Sequence, residues 1–217
     1  MTLLSPHPWP IIPVRDDFDS SQLAIQWQSP RVVLDDKFIS LQALKSYLRL
    51  YGRESIASLF EQALVARHQQ SFKIEASTCV EFNPENFQQM AGLVAFYNTD
   101  SFYYLFIIHA KHSKRCLGLM KCEKGVVSYP IEKEYFLDDW QQVCLKLIID
   151  FDRIRFAYSK DATHWTHIGW EQDASILSDE HAMPCGFTGN FVGMACQDMS
   201  GTGKYADFDW FEYRELE

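Results

Sequence analysis

The stretch Asp207-Phe-Asp209-Trp-Phe-Glu212 brings carboxylates together near the C-terminus. Carboxylates so close in sequence could act as a general acid and a general base, or they could bind a hard cation. In a regular strand, however, Asp207 and Asp209 point to one face and Glu212 to the other, unless a bulge intervenes. The alternation therefore argues against catalysis by this strand and favours a structural use of the carboxylates.

Upstream of these carboxylates, the segment Gly186-Phe187-Thr188-Gly189 sets one large aromatic residue between two glycines. The glycines let the backbone bend freely and leave the Phe187 ring without a local neighbour to cover it. We therefore expect Phe187 to contact a ligand or another domain. A phenylalanine buried in the core is the alternative.

Other binding and catalytic motifs do not match. The segment 200–204, Ser-Gly-Thr-Gly-Lys, is similar to a phosphate-binding loop, but Asp198 replaces its first glycine and Tyr205 replaces the Ser or Thr after the lysine. The seven histidines form no His-Glu-x-x-His motif, and no Gly-x-Ser-x-Gly segment is present. These residues predict no phosphate or zinc site and give no support to a serine nucleophile.

The net charge of −9 and the isoelectric point near 5.2 disfavour binding to nucleic acid or to an anionic membrane. No apolar run reaches the length of about 18 residues that a membrane span needs, and prolines interrupt residues 3–14, where a signal peptide core would lie. The six cysteines contain no Cys-x-x-Cys pair, and Cys79, Cys144 and Cys196, which lie in strand patterns, are expected to be buried free thiols. Together these observations predict a cytoplasmic, reducing location.

Alternating apolar residues predict one strand after another from Arg15 to the C-terminus. The predicted strands cover residues 23–28, 44–51, 72–82, 91–97, 102–109, 143–149, 154–158, 191–197 and 205–213, and the last two are expected to form a β-hairpin. The helical spacing of Ile56, Leu59, Phe60 and Leu64 predicts a short helix within residues 53–66. Because the strands follow one another without helices that alternate with them, the pattern predicts one all-β domain, an antiparallel β-sandwich.

Two segments leave alternatives open. Both faces of the predicted strand 102–109 are bulky, so it is either a central strand between two layers or the aromatic floor of a groove. Half of the eight prolines lie within residues 1–14, which favours an extended segment there, either a connector to an upstream domain or an arm on the surface. The sandwich domain then covers residues 15–217.

Several uncommon strings occur in an order that is specific to one family. They are RDDFDSSQLAIQWQ, FEQALVARHQQSF, FNPENFQQMAGLVAFYN and GFTGNFVGMACQDMSGTGKYADFDWFEY. Together they resemble the C-terminal β-sandwich of glycoside hydrolase family 43 β-xylosidases and arabinofuranosidases, and the resemblance extends from about Pro8 to the end of the chain. It implies a concanavalin A-like (jelly-roll) sandwich that follows a five-bladed β-propeller, which carries the catalytic carboxylates and is not part of these 217 residues.

The resemblance also implies a role for the loop. In the family, the Phe-Thr-Gly loop reaches into the pocket of the neighbouring propeller, so Phe187, Thr188 and Gly189 would wall a sugar subsite for a xylo-oligosaccharide. The chain would then be an inactive part of a glycosidase, with the proline-rich segment as its connector and the propeller as its partner, upstream or in trans. An autonomous lectin-like carbohydrate-binding module is the alternative, and association into a homo-oligomer is left open.

The same fold implies a use for the aspartates, because many concanavalin A-like sandwiches hold a structural Ca²⁺ where the last strand meets the first. Asp17, Asp207 and Asp209 would be its ligands, and a surface cluster of unbound aspartates is the alternative. The strand also resembles the Glu-x-Asp-x-x-Glu motif of retaining hydrolases with this sandwich. Asp207 in place of the nucleophilic glutamate is one methylene too short for carboxyl groups that must lie about 5–5.5 Å apart.

Overall fold

The computed structural model describes residues 12–30, 32–110, 114–137, 139–181, 186 and 188–217. Of the predicted connector, residues 1–14, only 12–14 belong to this described part. Its strands are β1 (Arg15–Asp16), β2 (Ile39–Ser40), β3 (Leu48–Tyr51), β4 (Ala63–His68), β5 (Lys73–Glu81), β6 (Gln89–Asn98), β7 (Ser101–Ala110), β8 (Lys114–Glu123), β9 (Val126–Ser128), β10 (Tyr135–Phe136), β11 (Gln142–Asp150), β12 (Arg153–Ser159), β13 (Thr166–Asp173), β14 (Phe191–Asp198) and β15 (Tyr205–Glu215), and a short 3₁₀ helix covers Ala174–Leu177.

The strands form two antiparallel sheets. The eight-stranded sheet has the order β13-β12-β11-β5-β15-β3-β2, with β1 paired to β15. The seven-stranded sheet has the order β10-β8-β7-β6-β14-β4, with β9 paired to β8. The predicted antiparallel β-sandwich is therefore confirmed. No helix in the described ranges is long and apolar enough to cross a membrane.

The main core lies between the two sheets and takes alternate residues of their central strands. Ile74 and Val80 of β5, Leu147 of β11, and Tyr103 and Leu105 of β7 are fully buried in it. Burial of one large apolar side chain contributes about 1.5–3 kcal/mol relative to exposure. This core gives the loops at the ends of the sandwich a rigid base.

A second apolar cluster covers the outer face of the seven-stranded sheet. It contains Phe102, Tyr104 and Phe106, which lie on the opposite face of β7 from Tyr103 and Leu105. The Tyr104 hydroxyl is buried and donates to a backbone carbonyl of β14 at 3.1 Å. Strand β7 is therefore a central strand with two buried faces, and the alternative of a groove floor is wrong.

Residues 53–66 do not form the predicted helix. Ala63–His68 is strand β4, which pairs with β14. Val65 enters the main core, whereas Leu64 enters the outer cluster. Because both faces of β4 are buried, its sequence lacks the alternation of a half-buried strand. Of the four residues whose spacing predicts the helix, only Leu64 lies in β4, and Leu59 and Phe60 are exposed, so the four do not form one buried face.

Residues 23–28 form a turn rather than the predicted strand. The backbone N–H of Trp27 donates to the carbonyl of Ala24 at 3.0 Å, and only Gln28 makes a β-bridge. The side chain of Ile25 is 94% exposed, whereas the Trp27 indole is buried and donates to Asp16 at 2.8 Å. The alternating pattern failed here because one buried indole, held by a carboxylate of β1, fixes the segment without a second strand.

The last two strands do not form a hairpin. Strand β14 lies between β6 and β4 in one sheet, whereas β15 lies between β5 and β3 in the other. The connection, residues 199–204, therefore crosses from sheet to sheet. Its organiser is Asp198, whose carboxylate accepts the backbone N–H groups of Ser200 at 3.0 Å and Lys204 at 2.9 Å. The glycine-rich spacing fits a hairpin turn equally well, so the sequence pattern could not separate the two connections.

Candidate functional site

The predicted pocket loop leads into strand β14 at one end of the sandwich. Phe187 itself lies outside the described residues, so its predicted position stays a prediction. Thr188 is exposed, and Gly189 is partly buried with a φ of +70°. That φ lies in the left-handed region, which a residue with a Cβ rarely adopts, so the chain can turn here because position 189 is glycine.

Hydrogen bonds fix both ends of this loop to the sandwich. On one side, the backbone N–H of Gly186 donates to the Tyr97 hydroxyl at 3.0 Å, and that hydroxyl donates to the carboxylate of Asp179. On the other side, the Asn190 amide donates to the Gln69 side chain at 2.8 Å, and the Gln69 backbone N–H donates to the Asn190 carbonyl at 2.9 Å. Tyr97 and Asn190 are buried, so the loop has anchored ends.

A cleft of about 560 Å³ opens beside the loop. Its walls are the loop end, the segment before β5, the turn between β11 and β12, and the 3₁₀ helix with the residues after it. Residues from these walls include Gly189, Asn190, Gln69, Gln70, Phe72, Phe151, Ser175, Asp179 and Glu180. The cleft is large enough for a side chain or a small ligand, and its rim combines aromatic and acidic groups.

Two exposed phenylalanines form the aromatic part of this rim. Phe72 is 75% exposed and Phe151 is 60% exposed, and their rings stack with centroids 5.9 Å apart and planes inclined by 11°. The Phe151 backbone N–H donates to the Phe72 carbonyl at 3.0 Å, and Phe151 has a φ of +54°. A bulky residue in the left-handed region is uncommon, and two stacked rings exposed to water are typical of a contact surface.

We call Phe72, Phe151, Gly186 and residues 188–190 the docking face. Sequence reasoning identified the loop but missed the phenylalanine pair. The pattern places Phe72 at the start of the predicted strand 72–82 and Phe151 in the turn between the predicted strands 143–149 and 154–158. A bulky aromatic residue in the Asp-Phe-Asp-Arg turn, residues 150–153, was the one available signal, because such turns normally take small or polar residues.

The predicted calcium ligands are brought to one region, but they do not form a ligand shell. Strands β1 and β15 pair, as expected, with Arg15 opposite Glu212. Asp207, however, accepts two hydrogen bonds from Arg49, at 2.7 and 2.8 Å. Asp17 pairs with Arg15 at 2.7 Å. Both carboxylates thus already have a cation, so this arrangement does not fit Ca²⁺, which prefers six to eight oxygen ligands.

The third predicted ligand, Asp209, lies at a bulge in β15. The register shifts between Phe208 and Trp210, so Asp209 is the extra residue opposite β5. Burial raises the pKa of Asp209, Arg15 opposes that rise, and the nearby carboxylates of Asp17 and Glu81 add to it. Within the described ranges, no group of three or more His, Cys, Asp or Glu residues is arranged to hold a metal ion.

The bulge also changes the predicted arrangement of the carboxylate strand. Phe208, Phe211 and Tyr213 all enter the main core. With one extra residue between Phe208 and Trp210, Asp207 and Glu212 lie on the same outer face, which strict alternation excluded. Each of them faces an arginine, since Glu212 pairs with Arg214 at 2.6 Å. These two carboxylates are therefore arranged as ion pairs rather than as an acid and a base.

Comparison with known proteins gives a family match over almost the whole chain. Residues 15–214 match the family model described as the β-xylosidase C-terminal concanavalin A-like domain. The chain is 39% identical over 205 residues to a putative β-xylosidase of Escherichia coli K12, with 93% of this chain and 38% of that protein covered. It is 40% identical over 205 residues to a β-xylosidase of Bacillus subtilis 168, with 94% and 38% covered.

Solved structures show the same relationship. The crystal structure of a xylan β-1,4-xylosidase from Bacillus halodurans superposes with a TM-score of 0.94 at 39% identity, covering 98% of this chain and 41% of that one. A family 43 protein from Bacillus licheniformis gives a TM-score of 0.84 at 29% identity, covering 94% and 39%. The chain thus spans about two fifths of the length of these relatives.

Proposed function

This chain belongs to the family of β-xylosidase C-terminal concanavalin A-like domains, and on that premise we propose that it completes the active-site pocket of a family 43 β-propeller catalytic domain. The chain is an accessory domain, since its relatives contain more than twice its length. The catalytic partner, whether upstream in the same chain or separate, would supply the acid and the base. The substrate class would be a xylo-oligosaccharide.

The observation that carries this proposal is the docking face. It exposes two stacked phenylalanines next to a loop whose ends are held by buried Tyr97 and Asn190. Exposed aromatic pairs of this kind become the energetic centre of an interface when a partner covers them. A rigid loop beside such an interface can hold Phe187 in a neighbouring pocket at small entropic cost.

Phe187 would then wall a sugar subsite, with Thr188 and Gly189 shaping the turn that presents it. An aromatic ring can stack on the apolar CH groups of a pyranose and limit the depth of the pocket. The described neighbours support this use, because Thr188 is exposed and Gly189 takes the left-handed conformation that the turn requires.

An autonomous carbohydrate-binding module is the second candidate, and one observation favours it. Trp170 on β13 is 86% exposed and lines a cleft of about 520 Å³ with Tyr135, His167 and Lys133. An exposed indole beside polar groups is a suitable platform for a sugar ring. This candidate predicts that the chain alone binds xylo-oligosaccharides and that Trp170→Ala abolishes the binding.

The proposal extends to the setting of the chain. A reducing, cytoplasmic location is supported by the free thiols of Cys79, Cys116, Cys122, Cys144 and Cys196. Self-association of the chain is a separate proposal, which the exposed edge strand β13 supports because it has one paired neighbour, β12.

The test of docking is the affinity of the chain for a separately expressed propeller domain, taken from the part of the Bacillus subtilis relative that precedes the matched region. We expect Phe72→Ala with Phe151→Ala to weaken binding about ten- to hundredfold, since aromatic anchors at interfaces contribute about 1–3 kcal/mol or more. Trp170→Ala is the control, because it removes an even more exposed ring outside the docking face.

Two outcomes would contradict the docking proposal. The first is that the wild-type chain does not bind the propeller at micromolar concentration, which would show that the propeller is not the partner of the docking face. Binding that is weakened by Trp170→Ala but not by the double phenylalanine variant would move the interface to the edge of the eight-stranded sheet. Calorimetry with a xylo-oligosaccharide on the same variants distinguishes docking from autonomous sugar binding.

A further inference from the structure

Two cysteines lie directly opposite each other on neighbouring strands of the eight-stranded sheet. Cys79 of β5 and Cys144 of β11 are partners in the antiparallel register, and their Sγ atoms are 2.8 Å apart. Both are free thiols, and they are separated by 65 positions in the chain. Their proximity is therefore a product of the fold rather than of a local sequence motif.

The register gives this pair the geometry that a disulfide needs. Directly opposite residues of antiparallel strands have Cα atoms about 4.5–5.5 Å apart. Disulfides span Cα separations of about 4.4–6.8 Å. Bond formation therefore requires rotation of the two side chains and no movement of the strands.

The pair lies on the outer face of its sheet, not in the main core. With Trp210 it forms a small separate cluster, against which Ala162 and Trp165 pack. Trp210 is opposite Cys79 on the neighbouring strand β15. The two cysteines are buried, and the side chains that pack over them are two indoles rather than a second layer of strands.

The turn that supplies one of these indoles is firmly built. The Asp161 carboxylate accepts the backbone N–H groups of Thr163 at 2.9 Å and His164 at 2.8 Å. The Trp165 indole donates to the carbonyl of Ala162 at 3.1 Å, and the Lys146 ammonium lies 4.1 Å from the centre of its ring. Asp161 thus braces the turn, and Trp165 packs over the thiols rather than between the sheets.

The two thiols also differ in the direction of their pKa shifts. The neighbouring Cys79 thiol lowers the pKa of Cys144, against the effect of burial. The same contact, together with burial, raises the pKa of Cys79. Burial raises the pKa of Cys116, Cys122 and Cys196. Among the cysteines that the structure describes, Cys144 is therefore the thiol with the greatest tendency to ionise and to act as a nucleophile.

We propose that Cys79 and Cys144 form a redox-active dithiol site that hydrogen peroxide converts to a disulfide. The Cys144 thiolate attacks one peroxide oxygen, the O–O bond breaks, and the products are Cys144 sulfenic acid and, after protonation, water. The Cys79 sulfur then attacks the Cys144 sulfur, the S–O bond breaks, and a second water leaves with the Cys79 proton. Overall, two thiols and one peroxide give one disulfide and two waters, and a dithiol reductant reverses the oxidation.

The product would cross-link the centre of the eight-stranded sheet. Strands β5 and β11 lie between β15 and β12, and Trp210 of β15 contacts the pair. Oxidation would therefore fix the register of β5 against β11. Phe72 directly precedes β5, and Phe151 directly follows β11. The site is independent of the proposed docking, since its chemistry needs neither the propeller nor a sugar.

The test is peroxide treatment of the folded chain, followed by thiol counting after unfolding and by peptide mass spectrometry. We expect wild type to lose two of its six thiols and to yield a cross-link between the tryptic peptides 74–111 and 134–146. Dithiothreitol should restore both thiols. Cys79→Ser should give no cross-link and should instead accumulate a sulfenic acid at Cys144, trapped by dimedone.

Cys196→Ser and Cys185→Ser are the controls, and both should oxidise as wild type does. The proposal is overturned if folded wild type keeps six thiols under peroxide that oxidises them after unfolding. It is also overturned if the cross-link joins other cysteines, or if dimedone labels Cys144 equally in wild type and in Cys79→Ser. Serine is nearly isosteric with cysteine, so we expect the variants to fold. Melting curves will identify a variant that does not, and Cys144→Ser then provides the second test.

Discussion

At the scale of single residues, the outer face of the eight-stranded sheet is dominated by the pair Arg49–Asp207. The two side chains are largely buried, and their charges meet in two hydrogen bonds. Arg49 also lies over the Tyr205 ring, 3.7 Å from its centre. The hydrogen bonds that Arg49 donates to Asp207 raise the pKa of Arg49, against the effect of burial. An ion pair thus occupies the place where a calcium ligand was expected.

We predict that Asp207→Asn destabilises the domain by about 2–3 kcal/mol, because it leaves the largely buried Arg49 without its counter-charge. For a domain of this size, the melting temperature should fall by roughly 4–12 °C. Asp17→Asn is the control, because the Arg15–Asp17 pair is exposed and should contribute less than about 1 kcal/mol. Thermal melting of the variants, with and without a chelator, measures both effects.

Chelation should leave the melting temperature of wild type unchanged if this account of the aspartates is right. A chelator that lowers it, with Ca²⁺ restoring it, would show that a metal site exists after all. A ligand that binds only the native state stabilises in proportion to the logarithm of its excess over its dissociation constant. Titration with Ca²⁺ would therefore reveal even a weak site.

At the scale of elements, the connection between β14 and β15 is organised by one carboxylate. Burial of Asp198 opposes its ionisation, but hydrogen bonds from Ser200, Lys204 and Thr202 outweigh that effect and lower its pKa to about 2. The ordinary value is 3.8, so the folded state favours the charged form. Stability from this group is therefore present above about pH 4 and is lost as the pH falls towards 2.

We predict that Asp198→Asn lowers the free energy of unfolding by about 2 kcal/mol at pH 6, since a pKa difference of one unit corresponds to about 1.4 kcal/mol. The variant should lose less stability than wild type between pH 4 and pH 2.5, because it has no carboxylate to protonate. Urea denaturation at several pH values measures this. If the free energy of unfolding changes with pH in the same way for both proteins across that range, the carboxylate of Asp198 does not stabilise the connection between β14 and β15.

The elements also show what sequence could predict. Strand β5 and the pairs β6–β7 and β11–β12 follow their hydrophobic patterns closely, because each pair is antiparallel and joined by a short turn. Strand β4 was not predicted, because its six residues do not alternate and the helical spacing of Ile56, Leu59, Phe60 and Leu64 overlaps its start. The sheet change between β14 and β15 depends on pairing with β4 and β3, which lie more than a hundred residues upstream.

The candidate site was predictable in the same partial way. The loop at Thr188 and Gly189 stood out because glycine has a local signature. The contact of Arg49 with Asp207 joins residues 158 positions apart, and the stacking of Phe72 on Phe151 depends on the β5–β11 register. Such long-range pairs produce no pattern in the sequence around either residue, so they can be identified only in the folded structure.

At the scale of the whole molecule, the described residues form a two-sheet sandwich, and the chain spans about two fifths of the length of its relatives. Its docking face lies at one end, where the segment before β5, the β11–β12 turn, Gly189 and Asn190 line the same cleft. The carboxylates Asp207 and Glu212 are paired with arginines on the outer sheet face. The proposed function assigns the shaping of a pocket to this domain and the chemistry to another domain.

We predict that the chain alone does not hydrolyse aryl xylosides or arabinosides. An inverting reaction requires an acid and a base about 6.5–9.5 Å apart with room for water, and the paired carboxylates of β15 do not offer this arrangement. Release of the aryl group by the purified chain is the measurement. Turnover that disappears in Asp209→Ala or Glu212→Ala would overturn the accessory role.

The central claim is that Phe187 walls the sugar pocket of a docked propeller, and the most direct test compares Phe187→Ala with wild type in that complex. The variant should lower kcat/KM on an aryl xyloside about ten- to hundredfold, since a sugar-contacting ring contributes about 1–3 kcal/mol, while the melting temperature of the chain stays unchanged. A core phenylalanine would instead cost about 3–5 kcal/mol of stability when truncated. A variant that melts much earlier yet keeps the wild-type kcat/KM per folded complex would contradict the claim.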